Sequence, residues 1–340
     1  MQNVQHPIRK RAIGAPSSFR LCHWTLNVGC WTFAASAACA AEWQNISDAV
    51  TANLKPGYGG PTAGVVTDRA SGAVFMVVSD LGLWRSTDHG ATFARCDGKA
   101  IGGRCETGYA LQADPAGKRL ACFMIYGDSA MTTDGGDTWT KFKSSHFDFG
   151  SVDWADTGKR LLAIRHEKQG LLATSEDGGA TWKDLEKGFG GCGVVDPTTF
   201  VAWKEKEPGI FRSTDAGATW AQVSPLKPVA GVPTVYDGAI YWAAGKGVLV
   251  SRDKGATWAD FGAPVDASFG PMFGADANHA VVVGKSGFSE TKDGGKTWAN
   301  VAPLPAGFTV NRVGPNYAWD AKGGYFYAST MTKPAFVWKR

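Results

Sequence analysis

The chain has 340 residues, with 35 Lys and Arg against 31 Asp and Glu, a formal net charge of +4, and 44% apolar residues. So small an excess gives no concentrated basic field and so argues against nucleic-acid binding. No segment beyond residue 41 has the run of apolar residues needed to span a bilayer.

Read from its start, the chain carries Arg9, Lys10, Arg11 and Arg20 with no acidic residue before Glu42, then the apolar run from Val28 to Ala41. This predicts a secretory signal over residues 1–40, with Ala38-Cys39-Ala40 as the cleavage site. A lipid anchor on Cys39 is the alternative, although Ser36 stands where such signals carry an aliphatic residue. Those 40 residues hold four of the 35 basic residues and none of the 31 acidic ones, which leaves 31 against 31. The predicted mature protein, residues 41–340, is therefore neutral, exported and monomeric, in the periplasm or outside the cell. Cys96 and Cys105 bracket a short Gly-rich loop, so an oxidising compartment predicts a bridge between them. Cys122 and Cys192 read as buried thiols.

From Ser86 onward a short pattern, Ser/Thr-x-Asp-x-Gly-x-Thr-Trp, recurs six times, with Phe93 in place of Trp in the first copy. Its aspartates are Asp88, Asp134, Asp177, Asp215, Asp253 and Asp293, separated by 46, 43, 38, 38 and 40 residues. A carboxylate, a glycine free to take positive φ and a hydroxyl are the ingredients of a tight hairpin corner. A period of about 40 residues with strand-like flanks is that of a propeller blade. Each repeat reads as four strands, A to D, with an aspartate closing strand A (Asp68, Asp114, Asp156, Asp196, Asp237, Asp276 and Asp320). The seventh repeat stops at Ala335–Lys339, before its fourth strand. Glu42-Trp43-Gln44-Asn45-Ile46-Ser47 matches the pattern of Thr219–Ser224, so the expected mature N-terminus completes that last blade and closes the ring. The fold class is all-β, a single seven-bladed propeller.

On these motifs the chain resembles the Asp-box (BNR) repeat β-propellers of the sialidase-like superfamily: sialidases, xyloglucanase-type hydrolases, sortilin-like receptors and photosystem II assembly propellers. The stretch Gly82-Leu83-Trp84-Arg85-Ser86-Thr87-Asp88 is closest to the xyloglucanase-like and assembly groups, and no Arg-Ile-Pro of the sialidase type occurs. The resemblance implies that the boxes lie on the face away from the ligand site. It leaves function open, since the family holds hydrolases, receptors and assembly factors.

The A–B and C–D connections share one face of such a blade, and the B–C and D–A connections the other. Non-repeating residues collect on the second face, where function is expected. Its B–C connections offer Asp80 and Asp128 as an acid–base pair for glycoside hydrolysis, with His166 and Glu167 as further catalytic candidates, and the lone lysines Lys246, Lys285 and Lys333 as a basic arc for an anionic partner. The D–A connections repeat an aromatic-glycine pair at Tyr58, Phe149, Phe189 and Phe269, rings that could stack on sugars or pack between blades. Neither a cofactor motif nor a metal-ligand set is present. The expected function is an exported, non-catalytic binding or assembly propeller for a protein or glycan partner. The alternative is a glycan-active hydrolase or lyase on the same face.

Overall fold

The structure is a computed structural model that describes residues 42–58, 60, 64–310 and 315–340. The expected export segment lies outside them. The described residues form seven four-stranded antiparallel sheets with one short helix, Asp48–Thr51. Each sheet is built from four strands consecutive in sequence except the last, whose order is Asn316–Asp320, Tyr325–Ser329, Phe336–Lys339 and then Gln44–Asn45. Gln44 pairs with Val337 and Asn45 with Phe336, so the outer edge of the last blade is covered by the start of the described chain. Ile46 N–H donates to the Ala335 carbonyl (2.9 Å), and the buried Ser47 hydroxyl accepts from Ala335 N–H (2.5 Å). First strands of neighbouring blades contact one another and line the axis of the ring.

Strands form where the sequence is β-branched and apolar. Val74–Val78, Ala239–Ala243 and Ala280–Gly284, second strands of their blades, are buried throughout because each is covered by a neighbouring blade on both faces. The alternation expected of half-exposed strands is therefore absent there. Charged residues move to the outer strands, such as Lys183–Asp184 and Ala259–Asp260, which are exposed.

The repeated eight-residue pattern folds the same way six times. In the first copy Ser86 Oγ donates to Asp88 Oδ1 (2.7 Å) and accepts from Gly90 N–H (2.8 Å), while Asp88 accepts from Thr92 N–H (2.9 Å) and Thr92 Oγ1 (2.6 Å). The same four bonds occur at Asp134, Asp177, Asp215, Asp253 and Asp293. Hydrogen bonds from the threonine, its hydroxyl first, hold Asp88, Asp177, Asp215, Asp253 and Asp293 down at about 2 and lower Asp134 as well. These carboxylates are consumed by their own turns.

Two expectations are corrected. In blade three the residue that closes strand A is Asp153, which accepts from Ala155 and Asp156 N–H (3.1 and 3.3 Å), because the strand ends at Val152. Asp156 lies further along an extended turn. Cys96 and Cys105 are free thiols, as are Cys122 and Cys192. The loop between the first two is pinned by Asp97, which binds Arg95 Nε (2.7 Å) and Ile101 N–H (3.0 Å). That arrangement turns Cys96 Sγ to the Leu83 carbonyl (3.6 Å) and Cys105 Sγ to Met124 Sδ (3.5 Å). Burial pushes both thiols up to about 12.

Tyr109, in the loop entering blade two, stacks on Phe269 of blade six and reaches the packed clusters of blades three to seven. A β-carbon on its neighbour Gly108 would fall 2.6 Å from the Pro315 carbonyl oxygen, so only glycine lets this loop lie so deep. On the box face, the Arg69 guanidinium donates to the Gly274 carbonyl and to Tyr236 Oη, tying blade one to blades five and six.

Candidate functional site

The B–C and D–A face carries two concavities. The first, a cavity of about 260 Å³ at blades two to four, is lined by Glu106, Thr107, Asp148, Phe149, Ile164, His166, Glu167, Phe189 and Glu205 among others. Its centre is His166. Asp148 lies at a register shift between Phe147 and Phe149, where strand A of blade three leaves its regular pairing. A bulge re-aims the side chain that sits on it, and Asp148 Oδ1 lies 2.6 Å from His166 Nδ1. With the proton on Nδ1, Nε2 is left to accept from the Tyr126 hydroxyl at 3.3 Å. Glu167 Oε1 is 3.6 Å from the same nitrogen. The His146 ring stands edge-on to both His166 (5.0 Å) and Tyr126 (4.9 Å). Tyr126, His146 and Glu167 all hold positive φ, at 53°, 67° and 55°, a conformation that bulky residues adopt only where surrounding contacts enforce it. Partial desolvation, with Glu167 and Glu106 close by, raises the Tyr126 phenol above its ordinary value.

Beside the cavity the Arg104 guanidinium is sandwiched between two rings, 4.5 Å from the centre of Tyr58 and 4.6 Å from that of Tyr126. Glu106 neutralises it through a hydrogen bond to Arg104 Nε. Both rings are otherwise open to solvent, at 71% and 52% exposure.

The second concavity is an open groove of about 830 Å³ between blades five and six, lined by Val229, Gly245, Lys246, Pro264, Val265, Asp266, Ser268 and Lys285. Its backbone is braced. Gly245 and Ala267 exchange hydrogen bonds (2.7 and 3.2 Å), Val265 N–H donates to the Lys246 carbonyl (3.3 Å), and Asp266 Oδ2 accepts Lys285 N–H (2.7 Å). Among the described residues neither Lys246 nor Lys285 forms an ion pair, and both are exposed.

These positions sort the residues singled out by the sequence. His166 and Glu167 meet at one cavity. Asp80 and Asp128 do not join them: Asp80 packs on Gly57, Asp128 is tied to Lys141 Nζ at 2.8 Å, and neither lines the cavity. Lys246 and Lys285 share the groove, whereas Lys333 folds over Gly307 in blade seven, outside its lining. Phe149, Phe189 and Phe269 are only 4%, 1% and 8% exposed, their faces taken up by packing, so Tyr58 is the exposed ring of the four. Arg104, Tyr126 and Asp148 escaped sequence reasoning. Tyr126-Gly127-Asp128 carried a signal, a large ring in a glycine turn where a chain usually hides it. Asp148 carried none, because the register shift that aims it is a property of the paired strands.

No protein-family model matches the chain, and no curated protein matches it. Solved structures do match. A GH74 enzyme from Niastella koreensis aligns over 81% of this chain and 42% of its own, with 16% identity and a TM-score of 0.59. YCF48 bound to D1 peptide aligns over 84% of this chain and 94% of its own, with 13% identity and a TM-score of 0.53. The likeness is one of fold. A third match, the extracellular domain assigned to the hybrid two component system BT4673 of B. thetaiotaomicron, covers 87% of this chain and 39% of its own, at 8% identity and a TM-score of 0.55. The chain thus spans less than half of the GH74 enzyme and nearly the whole of YCF48. Among the described residues no helix is long and apolar enough to cross a membrane.

Proposed function

We propose that the chain is an exported, non-catalytic binding or assembly propeller of the Asp-box type, with residues 1–40 as its export signal and residues 41–340 as a monomeric propeller. It recognises a protein or glycan partner on the B–C and D–A face. One observation carries the reading. The large apolar side chains found exposed among the described residues are Leu54, Tyr58, Tyr126, Leu226 and Val229, and all five belong to loops of that face. Exposed apolar residues gathered on one side of a repeat scaffold mark an interaction surface, and Tyr and Arg are the residue types on which interfaces concentrate their binding energy. The match to YCF48 along 94% of its length, in a structure holding a peptide, is in keeping with a protein partner.

The test is to isolate partners from the envelope of the source cells, then measure the purified partner against the parent protein, the loop-face variant Y58S/Y126S and the box-face variant R212Q. Binding lost in the first variant and kept in the second is the expected result. Equal binding by both would remove the loop face from the function.

A glycan-active reading rests on the arrangement of Asp148, His166 and Tyr126, a carboxylate orienting a base that faces a hydroxyl. Turnover of neutral, sialylated or uronic-acid glycans that is abolished by His166→Asn would establish it in place of the binding reading.

A further inference from the structure

From the groove between blades five and six we infer that this propeller docks an extended acidic peptide segment carrying an aliphatic anchor residue, an inference that rests on the binding reading above and names the partner's chemistry. The wall and floor of the groove are Val229, Pro264 and Val265. Val229 is 36% exposed and Leu226, three residues earlier, 37%. Among the described residues no aromatic ring lines it, and without a ring face for stacking a sugar has little to hold. An aliphatic side chain does fit, since burying it against Val229 and Val265 removes apolar surface from water on both partners.

Charge fixes the rest of the partner. Lys246 and Lys285 stand on the groove without a carboxylate within ion-pairing distance among the described residues. Among the described residues the one acid in the lining, Asp266, is turned to the backbone N–H of Lys285 at 2.7 Å and lies against Gly284, not against either ammonium group. Exposed Lys227 adds a third charge on the same loop as Leu226 and Val229, its Nζ 5.7 Å from the Trp203 ring. Two unpaired ammonium groups bordering an apolar trough are complementary to carboxylates flanking an aliphatic residue. The trough itself is rigid, because the reciprocal Gly245–Ala267 hydrogen bonds and the Val229 N–H bond to Ala243 O (2.9 Å) fix its walls, so docking does not have to order the loops.

The probe is a fluorescein-labelled hexapeptide of alternating Glu and Leu, titrated against the full chain by anisotropy at about 20 mM and about 500 mM salt. Companion probes are the Lys/Leu and Glu/Ser hexapeptides and vesicles of mixed phosphatidylserine and phosphatidylcholine. The Glu/Leu peptide should bind, with affinity falling about tenfold in K246Q/K285Q and by a similar factor at high salt, as expected of two exposed ion pairs. Val229→Asp should weaken the same peptide while leaving the melting temperature unchanged, and the Glu/Ser peptide should bind poorly. Equal affinity for the Glu/Leu and Lys/Leu peptides, or undiminished binding by K246Q/K285Q, overturns the inference. So does lysine-dependent capture by the vesicles without peptide binding. If the groove variants bind the natural partner normally while Y58S/Y126S does not, the groove assignment fails and the binding reading survives.

Discussion

Tyr109 lies flat on Phe269, ring centres 4.3 Å apart and planes within 14°, and its hydroxyl accepts the Gly270 N–H at 3.1 Å. The two residues belong to blades at opposite places in the ring, so this contact ties the axis together where adjacent blades cannot. Removing the ring in Tyr109→Ala leaves a hole bordered by several blades and should cost roughly 3–5 kcal/mol. Tyr109→Phe keeps the stack and leaves one buried N–H without its acceptor, a loss of about 1 kcal/mol. Chemical denaturation of the two variants should show that order. If the two are equally stable, the ring does not hold the axis.

The repeat, the blade number and the closure by Trp43-Gln44-Asn45 were legible because each is a local or periodic property of the sequence. Asp88 and its five counterparts announce a turn wherever they occur, whereas spacing alone does not distinguish Asp153 from Asp156, two aspartates of one extended turn of which Asp153 closes the strand. The face carrying the exposed rings was legible from connection order alone. What was not legible depends on three-dimensional convergence. Arg104 and Tyr58 are 46 residues apart, and nothing in either local sequence predicts that one guanidinium would lie between two rings. Asp128 and Asp80 looked alike in sequence, yet one pairs with Lys141 and the other packs on Gly57. Likewise the spacing of Cys96 and Cys105 suggested a bridge, while the cap made by Asp97 turns the thiols to different partners.

Closure of the last blade predicts a graded loss of stability. Trp43 is half-buried, touches Phe288 and Trp338 with ring centres 5.7 Å away in each case, and donates to the Pro303 carbonyl at 3.0 Å. Because part of the indole stays in water, Trp43→Ala should cost about 2 kcal/mol, below the value for a fully buried ring. Deleting residues 42–47 should cost more, since it also uncovers the edge of Phe336–Lys339 and removes Ile46, which is 5% exposed. Thermal melts of both variants decide this, and an unchanged melting temperature for the deletion would show that the strand does not close the ring.

The six turn aspartates predict a specific acid limb. Their folded values are lowered, to about 2 in five of the turns, by the threonine and serine hydrogen bonds. Lowered carboxylates bind fewer protons folded than unfolded, so their contribution is fully present above the unfolded value near 4 and is lost as pH falls through about 2. The melting temperature should therefore be insensitive to these groups from neutrality down to about pH 5 and should drop between about pH 4 and pH 2. Replacing Asp215 by Asn should lower the neutral melting temperature and shallow the acid limb. An acid limb with the parent's slope in that variant would show that the turn carboxylate is not linked to folding.

The last prediction concerns His166, whose Nδ1 is held by Asp148 at 2.6 Å and whose Nε2 faces Tyr126 Oη at 3.3 Å and Glu167 Oε1 at 3.6 Å. The ring accepts from the tyrosine hydroxyl and so helps hold Tyr126 against Arg104. Tyr126→Phe, which keeps the aromatic ring and removes the hydroxyl, should weaken a partner seated on the Tyr58–Arg104–Tyr126 stack about fivefold, the effect of one hydrogen bond of about 1 kcal/mol. His166→Asn should weaken it by a similar factor, and the double variant should lose no more than either single one, because both changes remove the same bond. Measuring partner affinity in the parent and the three variants checks the idea. Affinity unchanged in both single variants, or losses that add in the double variant, would show that this hydrogen bond does not support the stack.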